Sequence, residues 1–184
     1  GVGDEELSDN VISTVRSRFL WLFINLGTAF LSSTVIGLFD ATIEHMVALA
    51  VLMPIVAGMG GNAGSQTMTV TVRALATRNL DIHNAWRVVR REAGVGLLNG
   101  AIFGVLIGLA AGLWFQDPNI GGIIATAMLI NMMAAALAGI MIPLLLDRIG
   151  ADPAVASAVF VTTVTDITGF FSFLGLATWW FAIN

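Results

Sequence analysis

The sequence contains no cysteine, no tyrosine and no lysine, and it has only two histidines among 184 residues. Without cysteine, disulfide bonds, thiol catalysis and cysteine-metal sites are excluded. Charged residues are scarce as well, at 11% of the chain. Hydrophobic residues make up 57%, and the mean hydropathy is +0.89. A water-soluble domain of this size needs far more polar surface, so the composition indicates an integral membrane protein.

Five apolar stretches are long enough to cross a bilayer, which takes about 20 residues per helix. They cover residues 19–39, 47–72, 93–115, 120–146 and 154–181. These stretches predict an all-α membrane protein with five transmembrane helices in one domain, 19–184. Residues 1–18 are predicted to be a cytoplasmic lead-in. The polar segment 74–92 predicts a loop that carries an amphipathic helix at the membrane surface.

The arginines orient these five spans. All eight basic residues are arginines, and with five crossings they all fall on one side of the membrane: Arg16, Arg18, Arg73, Arg78, Arg87, Arg90, Arg91 and Arg148. Basic residues are enriched in cytoplasmic loops, so that side is predicted to be the cytoplasm. The N-terminus is then inside the cell and the C-terminus outside.

The third span carries a glycine at every fourth position. The five residues are Gly96, Gly100, Gly104, Gly108 and Gly112. Such a stripe lets a neighbouring helix backbone approach closely, so it predicts helix packing. A pore-lining role is the weaker alternative, because glycine has no side chain to offer an ion.

The second span combines a proline with glycines and polar side chains, in the sequence PIVAGMGGNAGSQ at 54–66. Pro54 removes a backbone donor, and the glycines loosen the chain, so we expect a broken helix here. Polar groups at membrane depth are tolerated when they are buried in protein or face a water-filled cavity. The span therefore predicts a cavity wall or, alternatively, a kinked packing helix in which Asn62 and Gln66 bond a neighbour.

Asp166 lies near the middle of the fifth span, where an ionised carboxylate is costly. No basic residue lies at the same depth, so it is protonated and hydrogen-bonded, faces water or binds a cation. Thr162, Thr165 and Gly169 share its helical face by their spacing. The chemistry of this face is all oxygen, which suits hard cations such as Mg2+. One carboxylate offers little negative charge to a divalent ion, and a two-fold dimer would supply two carboxylates.

Two stretches resemble the MgtE-type magnesium channels and transporters. The first fits the pattern P-x5-G-G-N-x-G-x-Q through Pro54, Gly60, Gly61, Asn62, Gly64 and Gln66. The second, VTTVTDITGFFSFLGLA at 161–177, is similar to the last membrane helix of the family, with Asp166 at its acidic position. RREAGVGLLNGAIFG at 90–104 and the turn at 152–154 support the match.

This resemblance implies a homodimer with a central cation pore lined by the second and fifth helices. Asp166 would hold a largely hydrated Mg2+, near the backbone of Thr162, Gly58 and Gly61. The implied pore-lining residues are Asn62, Gln66, Thr165 and Gly169. Asp152 and Glu92 would lie at the cytoplasmic mouth.

The implied function is passive conduction of Mg2+ into the cytoplasm across a bacterial plasma membrane. Mn2+, Co2+ and Ca2+ are possible substitutes, because oxygen ligands accept several of these ions. The alternative is a proton- or sodium-coupled transporter in which Asp166 is a protonation switch, and a purely structural membrane anchor is a third hypothesis. The chain has no cysteine, no histidine at membrane depth and one deep aspartate, which argues against an intramembrane enzyme. The sequence indicates no nucleic-acid partner.

The resemblance also implies parts that these 184 residues do not contain. Family members usually carry a cytoplasmic Mg2+-sensing part, joined to the pore by a plug helix. We expect such domains in a full-length chain, with residues 1–18 as the end of the plug helix.

Overall fold

The computed structural model describes residues 10–77 and 82–181. Over these residues the structure consists of helices and contains no strand. Six helices follow one another: α1 (Val11–Gly37), α2 (Asp40–His45), α3 (Val47–Ala76), α4 (Ile82–Phe115), α5 (Pro118–Arg148) and α6 (Pro153–Phe181). All but α2 are long and apolar enough to cross a membrane. The prediction of an all-helical chain with five membrane-spanning helices is confirmed.

The short helix α2 is absent from the sequence-based prediction. It has six residues and lies between α1 and α3. The hydroxyl groups of Thr42 on α2 and Thr178 on α6 are 2.7 Å apart, within hydrogen-bond distance. This bond attaches the connection between the first two spans to the end of the last one.

The expected break in the second span is wrong. Helix α3 runs without interruption from Val47 to Ala76 and includes Pro54. Pro54 is the eighth residue of α3, and its missing N–H leaves one carbonyl without its helical donor. The turns on both sides of Pro54 keep their helical hydrogen bonds. Neighbouring helices commonly compensate for such a proline in membrane proteins. The glycines that follow are used for packing instead of for a break.

The prediction of a separate surface helix between the second and third spans is also wrong. Helix α4 begins at Ile82 and continues into the third span, so its polar first turns belong to one long helix. Residues 78–81 of this segment lie outside the described residues. The predicted lead-in is divided in a similar way, since α1 begins at Val11 and residues 1–9 lie outside the described part.

Helix α5 is at the centre of the bundle. It packs against α3, α4 and α6, whereas α1 packs mainly against α6. A core cluster lies towards the ends of α3 and α6 that are near α2, and it includes Leu49, Leu52, Ile124, Phe173 and Leu174. The second and fifth spans are therefore held side by side on a common support.

The glycine stripe of α4 faces α5, as the packing interpretation predicted. A methyl group added at Gly104 would lie 2.8 Å from the carbonyl oxygen of Ala125. One added at Gly108 would lie 2.8 Å from the carbonyl oxygen of Gly121. Both partners are backbone atoms, so the two helix backbones are in direct contact along this line.

We expect Gly104→Ala to destabilise the bundle, because the added methyl group meets a backbone atom that cannot turn away. Overpacking of this kind typically costs about 1–3 kcal/mol. Gly94→Ala is the matched control on the same helix, since nothing lies within 4 Å of a methyl group there. Thermal unfolding in detergent should show a Tm several degrees lower for Gly104→Ala and no such loss for Gly94→Ala. Equal Tm values for the two variants would contradict this packing.

Candidate ion site on helices α3 and α6

One face of α6 is buried along its whole length. It carries a buried residue at every fourth position: Ser157, Val161, Thr165, Gly169, Phe173 and Ala177. Two predicted pore-lining residues, Thr165 and Gly169, belong to this packed face. The side chain of Thr165 is fully buried, and its hydroxyl donates to the carbonyl oxygen of Thr162 at 2.9 Å. Within one chain, Thr165 and Gly169 therefore serve helix packing.

Thr162 and Asp166 lie on the neighbouring face of α6. Thr162 is exposed, and its hydroxyl donates to the carbonyl oxygen of Ala158 at 2.8 Å. Asp166 follows one turn later and is half-buried. Its carboxylate has no hydrogen-bond or ion-pair partner within residues 10–77 and 82–181. The face that the sequence predicted as one surface is thus divided into a packed side and an open side.

Helix α3 is divided in the same way. Gly60 and Gly64 are buried, and a methyl group at Gly64 would lie 2.6 Å from Cγ1 of Val161 on α6. A methyl group at Gly58 or Gly61 would instead meet nothing within 4 Å. We call the side of α3 that lacks these contacts the open stripe; it consists of Gly58, Gly61, Asn62, Ser65 and Gln66.

Contacts between the two helices place Asp166 relative to this open stripe. Val161 on α6 meets Gly64 on α3, and Gly169 lies beside Val56, where an added methyl group would be 3.2 Å from Cγ1 of Val56. The helices therefore run antiparallel. Since Asp166 lies between Val161 and Gly169, it is at the depth of the α3 segment between Val56 and Gly64. The carboxylate and the open stripe share one level of the bundle.

Asn131 on α5 is a polar residue that the sequence-based prediction missed. It is fully buried, and its Nδ2 donates to the carbonyl oxygen of Val56 at 2.9 Å. Methyl groups at Gly60 on α3 or at Gly169 on α6 would collide with this side chain. Its Oδ1 has no partner among the described residues. A lone amide inside the apolar fourth span was the available signal, because buried amides usually fix a neighbouring helix.

The two acidic residues predicted at the cytoplasmic mouth have different surroundings. Glu92 is buried on α4, where it accepts a hydrogen bond from the hydroxyl of Thr67 at 3.4 Å and lies 3.7 Å from Arg91. It lines a cavity of about 220 Å3 together with Gln66. Asp152 is exposed and accepts a hydrogen bond from the backbone N–H of Ala154, at the start of α6.

One chain provides few ligands for a metal ion. No group of three or more histidine, aspartate or glutamate side chains within the described ranges could hold a metal. At the depth of the open stripe the chain supplies the single carboxylate of Asp166, together with amide, hydroxyl and backbone oxygens. Mg2+ is usually held by one or two carboxylates and keeps several of its waters, so one carboxylate is at the low end of what such a site contains.

The two kinds of glycine on α3 should respond differently to substitution. We expect Gly60→Ala to lower the stability by about 1–3 kcal/mol, because Asn131 is fixed by its bond to Val56 and has no space to move into. Gly58→Ala is the control, with the same substitution two residues earlier on the open stripe. Chemical or thermal unfolding in detergent measures both. Loss of stability at Gly58 but not at Gly60 would reverse the assignment of the two sides.

Comparisons with known proteins agree with this architecture. A family model for MgtE, described as a divalent cation transporter, matches residues 53–176. The chain is 35% identical over 177 residues to the magnesium transporter MgtE of Enterococcus faecalis, covering 96% of this chain and 39% of that protein. It is 37% identical over 161 residues to the magnesium transporter MgtE of Thermus thermophilus and 31% identical to that of Bacillus subtilis.

The chain spans well under half the length of these relatives, 36% of the Thermus protein. The matched region of this chain includes all of α4 and α5 and most of α3 and α6. It therefore contains both the open stripe and Asp166. On the extent of these matches, the chain belongs to the MgtE family of divalent cation transporters.

Proposed function

We propose that two copies of this chain form a pore that conducts Mg2+ into the cytoplasm across a bacterial plasma membrane. The open stripes of α3 and the Asp166 face of α6 would line the pore around a two-fold axis. The relatives named above are magnesium transporters, which supports Mg2+ as the ion.

The observation that carries the proposal is the position of Asp166. Its carboxylate lies in the middle of a membrane-spanning helix and has no hydrogen-bond or ion-pair partner among the described residues. Charged side chains within a membrane almost always face the bundle interior or a water-filled cavity and mark ion pathways. A pore with a cation beside Asp166 supplies both the water and the opposite charge.

The second chain completes the charge of the site. Two Asp166 carboxylates and one Mg2+ are electrically neutral, which offsets the repulsion between the acids. Mg2+ releases its water reluctantly, so a largely hydrated ion is expected. Asn62 and Gln66 then offer amide groups to its water shell. The backbone oxygens of Gly58 and Gly61 accept helical hydrogen bonds in the continuous α3, and in this proposal their remaining lone pairs would accept from the same water shell.

The packed residues have a supporting function in this proposal. Thr165 and Gly169 keep α6 against α3 and α5, and the Thr165 hydroxyl occupies one lone pair of the Thr162 carbonyl. The same carbonyl also accepts the helical N–H of Asp166, because α6 is continuous from Pro153 to Phe181. Glu92 and Asp152 would raise the cation concentration at the cytoplasmic mouth.

The membrane potential would drive entry. Because the inside of the cell is negative, Mg2+ would move towards the cytoplasm. The potential contributes about 2.3 kcal/mol per charge for each 100 mV, so a divalent ion gains about twice that. The proposal therefore requires neither nucleotide hydrolysis nor a counter-ion.

We expect Asp166→Asn to reduce Mg2+ influx into proteoliposomes by at least about tenfold, because removing both carboxylates takes away more than about 1.4 kcal/mol of ion stabilisation. Asp147→Asn is the control, since Asp147 is an exposed acid at the end of α5 and outside the proposed pore. Influx is followed with a Mg2+-sensitive dye inside the liposomes. Unchanged influx in Asp166→Asn would remove Asp166 from the ion site.

The same liposomes test the coupled alternative. Passive conduction predicts Mg2+ influx under a Mg2+ gradient alone, with equal pH and equal sodium concentration on both sides. Influx that occurs solely when a proton or sodium gradient is present would replace the pore with a coupled transporter.

The two-fold arrangement predicts a specific cross-link. Because the chain has no cysteine, Thr162→Cys introduces a single thiol on the pore side of α6. A short flexible bismaleimide should link two such chains into a species of twice 19.4 kDa on a denaturing gel. Phe160→Cys is the control on the outer side of α6, where Phe160 is 40% exposed. Dimers at Phe160→Cys but not at Thr162→Cys would place the two-fold axis on the Phe160 side of α6 and would contradict the proposal.

A further inference from the structure

The side of α4 that faces away from α5 carries two arginines followed by apolar residues. Glu92 and Gly96 mark the packed side, since both are buried and Gly96 lies against α5. Residues two positions from Glu92 are about 200° around the helix and lie on the opposite side. Positions spaced three or four apart continue this side along α4. We call it the outer face of α4; its exposed residues include Arg87, Arg90, Gly94, Leu97 and Ala101.

Arg87 and Arg90 are at the depth of the lipid headgroups. The span from Trp86 to Phe115 has 30 residues and is therefore about 45 Å long. This length matches a bilayer with both headgroup layers, of which the hydrocarbon core takes about 30 Å. About five residues at each end of the span then lie in a headgroup layer. Trp86 is 68% exposed and suits this layer, where tryptophan is enriched.

The chain does not balance the charge of these two arginines. Neither Arg87 nor Arg90 has an ion-pair partner in the part of the chain that the structure describes. The one acid of α4, Glu92, lies on the packed side, 3.7 Å from Arg91 and bonded to Thr67. The outer face therefore presents two guanidinium groups one helical turn apart. Guanidinium groups bind phosphate oxygens through paired hydrogen bonds.

Apolar surface continues from the arginines into the hydrocarbon layer. Leu97 is 52% exposed, and Val105, two turns further along the same side, is 59% exposed. Gly94 lies between Arg90 and Leu97, and a methyl group added there would meet nothing within 4 Å. No side chain therefore separates the charged part of the outer face from its apolar part.

We propose that the outer face of α4 binds an anionic phospholipid. The lipid phosphate lies between Arg87 and Arg90, and one acyl chain lies along Leu97 and Ala101. The positive-inside rule places this end of α4 at the cytoplasmic leaflet, where anionic lipids give the membrane a negative surface. Each arginine near such a surface strengthens the attraction by about fivefold. The proposal is independent of the ion pore and of the dimer.

Lipid binding by the 184-residue chain in a neutral detergent tests this proposal. Phosphatidylglycerol and phosphatidylcholine with the same acyl chains are added in equal amounts, and bound lipid is counted by native mass spectrometry. We expect the parent chain to retain at least about fivefold more phosphatidylglycerol than phosphatidylcholine. The double variant Arg87→Gln, Arg90→Gln should lose this preference, because it removes both positive charges of the outer face.

The double variant Arg16→Gln, Arg148→Gln is the matched control. It removes the same charge on the same predicted side of the membrane, from exposed positions near the start of α1 and at the end of α5. It should keep the preference for phosphatidylglycerol. Inorganic phosphate at millimolar concentration should not displace the lipid, because it lacks the acyl chain that contacts the apolar part of the face.

Three results would overturn the proposal. Equal retention of the two lipids by the parent chain would show that the face does not select negative charge. An equal loss of preference in both double variants would assign the effect to the net charge of the chain instead of to the outer face. Displacement by inorganic phosphate would show an anion site that does not require a lipid.

Discussion

The rest of the structure depends on the close approach of α5 to three neighbouring helices. Small residues make this possible, because glycine leaves room for a facing backbone. A methyl group at Gly139 on α5 would lie 2.9 Å from the carbonyl oxygen of Gly64 on α3, which is as close as the contacts between α4 and α5. Asn131 adds one polar bond at the point where α3, α5 and α6 meet. Lipid tails give little driving force for helix association, so contacts of this kind must supply it.

This packing also decides what remains available for function. Each of α3 and α6 uses one side against α5 and against each other, α6 also packs against α1, and each of the two helices keeps an exposed side over the described residues. Asp166 belongs to the uncovered side of α6, at the same level as Gly58, Gly61 and Asn62 on α3. A half-buried carboxylate at this depth is unfavourable in lipid, and in the proposed pore a second copy of the chain with a hydrated cation between the two would remove that cost.

The glycines between Gly58 and Gly64 have two different physical roles, depending on which side of α3 they face. Gly60 and Gly64 are needed because Asn131 and Val161 occupy the space beside them. Gly58 and Gly61 have free space beside them, so packing does not explain them. In the proposed pore, they are the positions at which water and backbone oxygens can meet without a side chain in between.

Composition and patterning by themselves determined the membrane class, the five spans and the helical packing role of the Gly96–Gly112 stripe, since each of these follows from local hydropathy or from spacing along one helix. They also singled out Asp166, because a carboxylate at that depth is costly wherever the neighbouring helices lie. Only the tertiary structure decided that α3 continues through Pro54, that Thr165 is buried while Thr162 is exposed, and that Asn131 joins three helices. Those features depend on which side of each helix faces α5, and the order of residues along one helix does not specify the rotation of its neighbours.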